Sequence, residues 1–149
     1  MKHEHGFQAS AFVYLKRARP FAYITSVECN YEPDGTEHSR LIMIKRRERG
    51  ILPGQADIRM LDDGLSIDFE CKDRQHGIQD NQLLRREELL RNGGHWFSVR
   101  TLEQIEAALI SVGRPPRARL GGLPVAVPTV SARRLAGFER RKLDDAVPF

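Results

Sequence analysis

Two cysteines in 149 residues are too few for a disulfide framework, and Cys29 and Cys71 make no C-x-x-C pair. The five histidines, His3, His5, His38, His76 and His95, fall at no zinc-ligand spacing. No apolar run approaches the roughly 18 residues of a membrane span. Met1-Lys2-His3-Glu4-His5 leads into no apolar stretch of the signal-peptide kind. Aromatic residues are scarce at 7%, and the single tryptophan, Trp96, reads as core in a strand rather than as a base-stacking platform. No internal repeat is visible. These absences set the expectation of a soluble, cytoplasmic protein without a membrane partner, built on one core with some extra chain.

Charge is what the chain has instead. Charged residues make up 30% of it, the net charge is +4, and the excess is concentrated at the end. From Arg114 to Phe149 eight basic residues face three acids, leaving +5 there and −1 in the remainder. A near-neutral body with a basic tail fits a polyanionic partner through counterion release, or a tail that keeps the protein in solution.

Periodicity predicts an α/β layered domain over residues 1–113 and a Pro/Arg-rich tail over 114–149. Phe7, Ala11, Tyr14, Leu15 and Ala18 recur at helical spacing, and Pro20 stops them. A short strand is expected at Phe21–Thr25, a loop over 28–37, and a short basic helix over Ser39–Arg49. Gln55–Leu61 and Leu65–Lys72 alternate apolar with polar residues around Asp62-Asp63-Gly64, the pattern of a hairpin. A helix over Ile78–Arg91, a strand over Trp96–Val99 and a helix capped by Thr101 with Gln104 complete the domain. In the tail Pro115, Pro116, Pro124, Pro128, Gly121 and Gly122 break regular structure. It is expected to be extended or disordered, with room for a short helix at Ala132–Lys142.

The chemistry is concentrated in the hairpin. Period-two alternation puts Glu70 and Lys72 on one face of a strand, and Asp57 lies in the strand before it. Two carboxylates on neighbouring strands can converge on a hard divalent cation, with the Cys71 carbonyl as a further oxygen. An ammonium beside them can position a water or stabilise charge, a set suited to attack on a phosphodiester. A Glu-x-Lys triplet in so charged a chain also fits a solvated strand face. Cys71, beside Phe69 on the apolar side, reads as core rather than as a nucleophile. Lys45, Arg46, Arg47 and Arg49 fit either a nucleic-acid backbone grip or a solvated helix face. His76 fits either a phosphate contact or a loop histidine.

The run Arg49-Gly50-Ile51-Leu52-Pro53-Gly54-Gln55-Ala56-Asp57 resembles the G-x-x-x-G-x-x-D entry of the VRR-type nuclease domain, in the PD-(D/E)xK superfamily. The resemblance continues through Glu70-Cys71-Lys72, Gln82 opening a helix, Gly93-Gly94, and Thr101-Leu102-Glu103-Gln104. It covers about Gly50 to Gly113, with a weaker match at Glu4 and Gln8. Ala56 stands where the family commonly has Pro, and the loop Asp73–Gly77 is more charged than usual; neither departure removes a chemical group.

The resemblance implies a restriction-endonuclease-like core, a small central mixed sheet flanked by helices, with the basic tail as an extended arm. It implies a Mg²⁺- or Mn²⁺-dependent endonuclease of the small stand-alone kind found in bacteriophages and bacteria. Asp57, Glu70, the Cys71 carbonyl and Glu4 would serve the metal, Lys72 would be catalytic and Gln82 supporting. Lys45, Arg46, Arg47, Arg49, Gly54, Arg74 and His76 would face nucleic acid. Small relatives of this type resemble Holliday-junction-resolving enzymes and are dimeric, so a homodimer acting on branched DNA is the implied assembly. A nuclease-like module that binds nucleic acid without cutting it, and a protein–protein adaptor using the tail, are the alternatives.

Overall fold

Apolar residues at three- and four-residue spacing bury one stripe of the first helix, α1 (Lys2–Ala18): Ala11, Leu15 and Ala18 are inaccessible and Tyr14 nearly so. A computed structural model describes residues 2–27, 35–73 and 75–145, the side chains of 2–5 and 143–145 excepted. The elements that follow α1 are β1 (Tyr23–Ser26), α2 (Glu37–Glu48), β2 (Ile58–Asp62) and β3 (Leu65–Cys71). After them come α3 (Asp80–Arg91), β4 (His95–Val99), α4 (Leu102–Ser111) and α5 (Ala132–Asp145).

The four strands form one mixed sheet in the order β1-β2-β3-β4, antiparallel except for the parallel pair β3–β4. The β2–β3 hairpin closes through Asp63 and Gly64, both at positive φ (50° and 78°), the two-residue turn that matches strand twist. A parallel pair needs a crossover, and α3 supplies it. One face of the sheet is apolar: Ile58, Met60, Ile67, Phe69, Cys71, Phe97 and Val99 pack with the buried stripes of α1 and α4. Cys71 and its neighbour Phe69 are core residues, as their alternation predicts. α3 lies over the opposite face, where Gln82 meets Glu70.

The basic helix α2 stands apart from this core. Ser39 is its one buried residue among those described, while Leu41 and Ile44 are about half exposed. It stops at Gly50, at φ 80°, where the Gly50 amide donates to the Arg47 carbonyl and the Ile51 amide to that of Arg46.

The tail is extended only as far as residue 131. Its first part is laid back on the body: the Arg117 amide donates to the Ala18 carbonyl, and the Leu120 amide to Glu106. From Ala132 it is helical, where the sequence left room for a short helix at Ala132–Lys142; Phe138 finds a buried seat and the basic residues find acids on α3. Asp80 accepts a fork from Arg141 at 2.6 and 2.8 Å and a further bond from Arg134 at 2.5 Å. Lys142 pairs with Glu87 at 2.8 Å. Much of the tail's positive charge therefore holds it to the domain.

The Arg141 and Arg134 guanidinium groups hold the Asp80 carboxyl well below the usual range, at about 2. A depressed folded-state value stabilises above the ordinary carboxylate pKa and is lost as pH falls through the folded one. The α5–α3 pairing is therefore expected to be intact at pH 5 and to weaken from about pH 4 down to pH 2. Chemical-shift titration of the Arg134 and Arg141 side chains checks this.

Candidate active site

The β2–β3 register ends with Ile58 paired to Phe69, and Asp57 stands immediately before that pair, next to the end of β3. Asp57 is held there by backbone. Its Oδ2 accepts from the Cys71 amide at 2.7 Å, and its carbonyl accepts from the Val27 amide at 2.8 Å. The same carbonyl also receives the Ser26 hydroxyl at 3.3 Å and Gln8 Nε2 at 3.4 Å. The first helix thus approaches the Asp57 end of the hairpin through Gln8. Glu4 precedes Gln8 by one helical turn, but its side chain lies outside the described residues.

Lys72 continues β3 by one residue, its amide donating to the Val99 carbonyl at 2.9 Å. Its Nζ lies 2.9 Å from Glu70 Oε1, and the same oxygen accepts from Gln82 Nε2 at 2.5 Å. Gln82 has its amide oriented from the other end, because Oε1 accepts the Gln79 backbone N–H at 2.9 Å. Of the four residues named from the sequence, the fold brings Glu70, Lys72 and Gln82 into contact, and it ties Asp57 to the Cys71 amide between Glu70 and Lys72.

Burial decides between the two readings of the Glu-x-Lys triplet. Asp57, Glu70, Lys72 and Gln82 are exposed by only 8%, 3%, 7% and 9%. A solvated strand face would leave both charges in water, so that alternative is excluded. Taking such groups out of water costs several kcal/mol per ion unless they are paired.

Lys72→Met leaves the Glu70 carboxylate buried without its cation, and should cost about 3–5 kcal/mol of unfolding free energy. Adding Glu70→Gln to that variant should return most of the loss. Urea denaturation of wild type, single and double variants measures both.

Neighbouring residues bound the site. Arg59 forks onto Asp68 at 2.8 and 2.7 Å, two residues along each strand from Asp57 and Glu70. Hydrogen bonding to that carboxylate raises the guanidinium pKa further. The parallel register places Ser98 beside Glu70 and Trp96 beside Asp68. The Ser98 hydroxyl, Asn81 Oδ1 and Trp96 Nε1 are buried polar atoms without a hydrogen-bond partner among the described residues. Sequence reasoning missed Ser98, Asn81 and the Arg59–Asp68 pair. The β2–β3 alternation could have shown the last; nothing local signals the β3–β4 register.

The remaining candidates fall elsewhere. Gly54 is packed against the start of α3: a Cβ there would lie 2.3 Å from the Asn81 carbonyl oxygen. His76 is exposed and its Nδ1 rests on Asp73, whose carboxyl is held at about 2 by the backbone and side-chain hydrogen bonds from His76. Arg100 fastens that loop by donating to the carbonyls of Asp73 and His76. Arg74 lies outside the described residues. Lys45, Arg47 and Arg49 are exposed on and just after α2, and Arg46 is half-buried.

Among the described residues no group of three or more His, Cys, Asp and Glu side chains is gathered as a metal cage. The donor set is the Asp57 carboxylate, on the Cys71 amide, and the Glu70 carboxylate one residue before Cys71, with strand backbone beside them. Two hard oxygens suit a small cation such as Mg²⁺, which takes one or two protein carboxylates and keeps several waters. Orphaned polar atoms at Ser98 and Asn81 add hydrogen-bonding capacity for solvent or ligand. Set against known proteins, the chain matches no family model, no curated protein and no solved structure.

Proposed function

We propose that this chain is a metal-dependent endonuclease that hydrolyses DNA phosphodiester bonds, with a restriction-endonuclease-like core of the PD-(D/E)xK type. The observation that carries the reading is the buried set of Asp57, bonded to the Cys71 amide, and Glu70, with the Lys72 ammonium 2.9 Å from the latter. Buried charge of this kind is hard to explain as a device for stability. It is readily explained as a preorganised site for an anionic reaction.

In this reading Asp57, Glu70 and the Cys71 carbonyl would hold Mg²⁺ or Mn²⁺, with Glu4 proposed as a further ligand. Such an ion would supply an activated water and positive charge to offset that developing on the phosphate. Lys72 holds its positive charge beside Glu70, where it orients a water or a phosphate oxygen. Gln82 fixes the Glu70 carboxylate by donating to Oε1. The Ser98 hydroxyl, next to Glu70 in the register, donates to whatever oxygen occupies that space. The exposed charges of Lys45, Arg47 and Arg49, with Arg46, Gly54, Arg74 and His76, meet the nucleic-acid backbone. The assembly proposed is a homodimer acting on branched DNA.

Incubation with single-stranded, duplex and four-way-junction DNA, each with Mg²⁺, Mn²⁺ or EDTA, tests this. Cleavage that depends on the divalent ion supports it, and preference for the junction supports the branched substrate. Salt-sensitive binding with no cutting in any metal would leave a nucleic-acid-binding module of nuclease-like fold. Absence of binding at moderate salt would leave neither.

A further inference from the structure

Gln82 can orient Glu70 only if the first turn of α3 is held in place, and the loop of residues 72–79 leading into that turn carries no helix or strand among its described residues. Two supports reach the turn. From one side the backbone of Gly54 presses on Asn81 and Gln82. From the other, α5 takes hold of the residues on either side of Gln79. Arg134 donates to the Ile78 carbonyl through Nε at 3.0 Å and Nη2 at 2.6 Å, and reaches Asp80 Oδ1 at 2.5 Å. Arg141 forks onto both oxygens of Asp80 at 2.6 and 2.8 Å. Gln79, held between Ile78 and Asp80, is the residue whose amide orients Gln82, and Gln82 in turn reaches Glu70.

From these contacts we infer that α5 is a positioning element of the candidate site, with Arg134 and Arg141 setting the α3 start so that Gln82 meets Glu70. The inference rests on the reading of that site as catalytic. A single exposed ion pair has little energetic weight. A two-point fork has direction as well as energy, and here two guanidinium groups converge on one carboxylate and one carbonyl. Phe138, buried on the same helix, anchors α5 against the body. These arginines are 54 and 61 positions from Asp80, so the contact is tertiary and separable from the stability of either helix.

The alternative role for these arginines is to grip nucleic acid directly, and the test separates the two. Arg134→Met with Arg141→Met removes the fork. Arg133→Met with Arg140→Met removes equal charge from α5 and leaves the fork intact. Two quantities are read on the full chain: amide hydrogen exchange at Gln79 and Leu83, and kcat and KM for Mn²⁺-dependent cleavage of four-way-junction DNA.

The first pair is expected to exchange faster at those amides and to lose about 10–100-fold in kcat, with KM changed less than threefold, the scale of losing an outer positioning contact. The second pair is expected to leave exchange and kcat within twofold of wild type. Asp80→Asn, which keeps the shape of the helix start, should repeat the first result if the double variant folds poorly. Unchanged exchange, or a raised KM with kcat intact, overturns the inference. If wild type cuts no DNA, the catalytic reading fails by itself, while unaltered exchange at Gln79 and Leu83 would separately remove the clamp.

Discussion

Glu70→Gln is expected to lower DNA cleavage by about 10³-fold while leaving a folded protein, at the upper end of the ~10²–10³ lost when one preorganised electrostatic group is deleted. The substitution is close in shape. Its amide oxygen can still accept from Lys72 and Gln82, which Glu70 engages at 2.9 and 2.5 Å. What disappears is one of the two negative charges of the proposed metal site, and with it the affinity for a divalent ion. A thermal shift reads that loss without any catalytic assay: a ligand at 100 times its Kd stabilises by about 2.7 kcal/mol. Mn²⁺ should therefore raise the melting temperature of wild type and leave that of the Glu70→Gln variant where it was. A rise of equal size in both proteins would place the metal elsewhere. Retention of more than a tenth of the cleavage would remove Glu70 from the chemistry.

Features set by neighbours in the chain were legible beforehand. The hairpin was readable because Asp63-Gly64 is a turn signal and the alternation on each side has period two. Together these put Glu70 and Lys72 on one side of the strand, and the Lys72 ammonium does lie 2.9 Å from Glu70 Oε1. Thr101 was readable as a cap and does accept from the Gln104 amide, though the Gln104 side chain receives the Arg100 amide instead of that of the cap residue. Element ends slipped by a few residues: the strand expected at 55–61 begins at Ile58, so Asp57 lies just before it.

Burial of the polar face was not legible. Alternation describes a sheet wet on one side, and only the tertiary placement of α3 over that side turns Glu70 and Lys72 into interior charges. Likewise the tail's composition suggested a free basic arm, because the acids that take up its arginines, Asp80 and Glu106, are distant in sequence. Ser98 joined the site through a parallel pairing that no local pattern encodes.

Gly54→Ala is expected to destabilise the fold by about 3 kcal/mol or more, and to impair the site out of proportion to the one methyl group added. Two separate causes add. At φ 82° a Cβ is strained whatever its surroundings, a cost of roughly 1–2 kcal/mol. The methyl would also lie 2.3 Å from the Asn81 carbonyl oxygen, 2.4 Å from its carbon and 2.7 Å from the Gln82 nitrogen, all backbone atoms. Overpacking of this kind costs a further ~1–3 kcal/mol, because backbone on one side has to shift. Either Asp57, three residues downstream of Gly54, moves away from Glu70, or α3 moves and takes Gln82 with it. Gly50 provides the control: its φ of 80° is nearly the same, but nothing lies within 4 Å of its Cβ position. Gly50→Ala should therefore show the conformational cost alone, about 1–2 kcal/mol, and leave cleavage within a few fold of wild type. Chemical denaturation of the two variants side by side measures the difference due to contact. Equal losses would mean that the approach of Gly54 to α3 is not what holds the two halves of the site together.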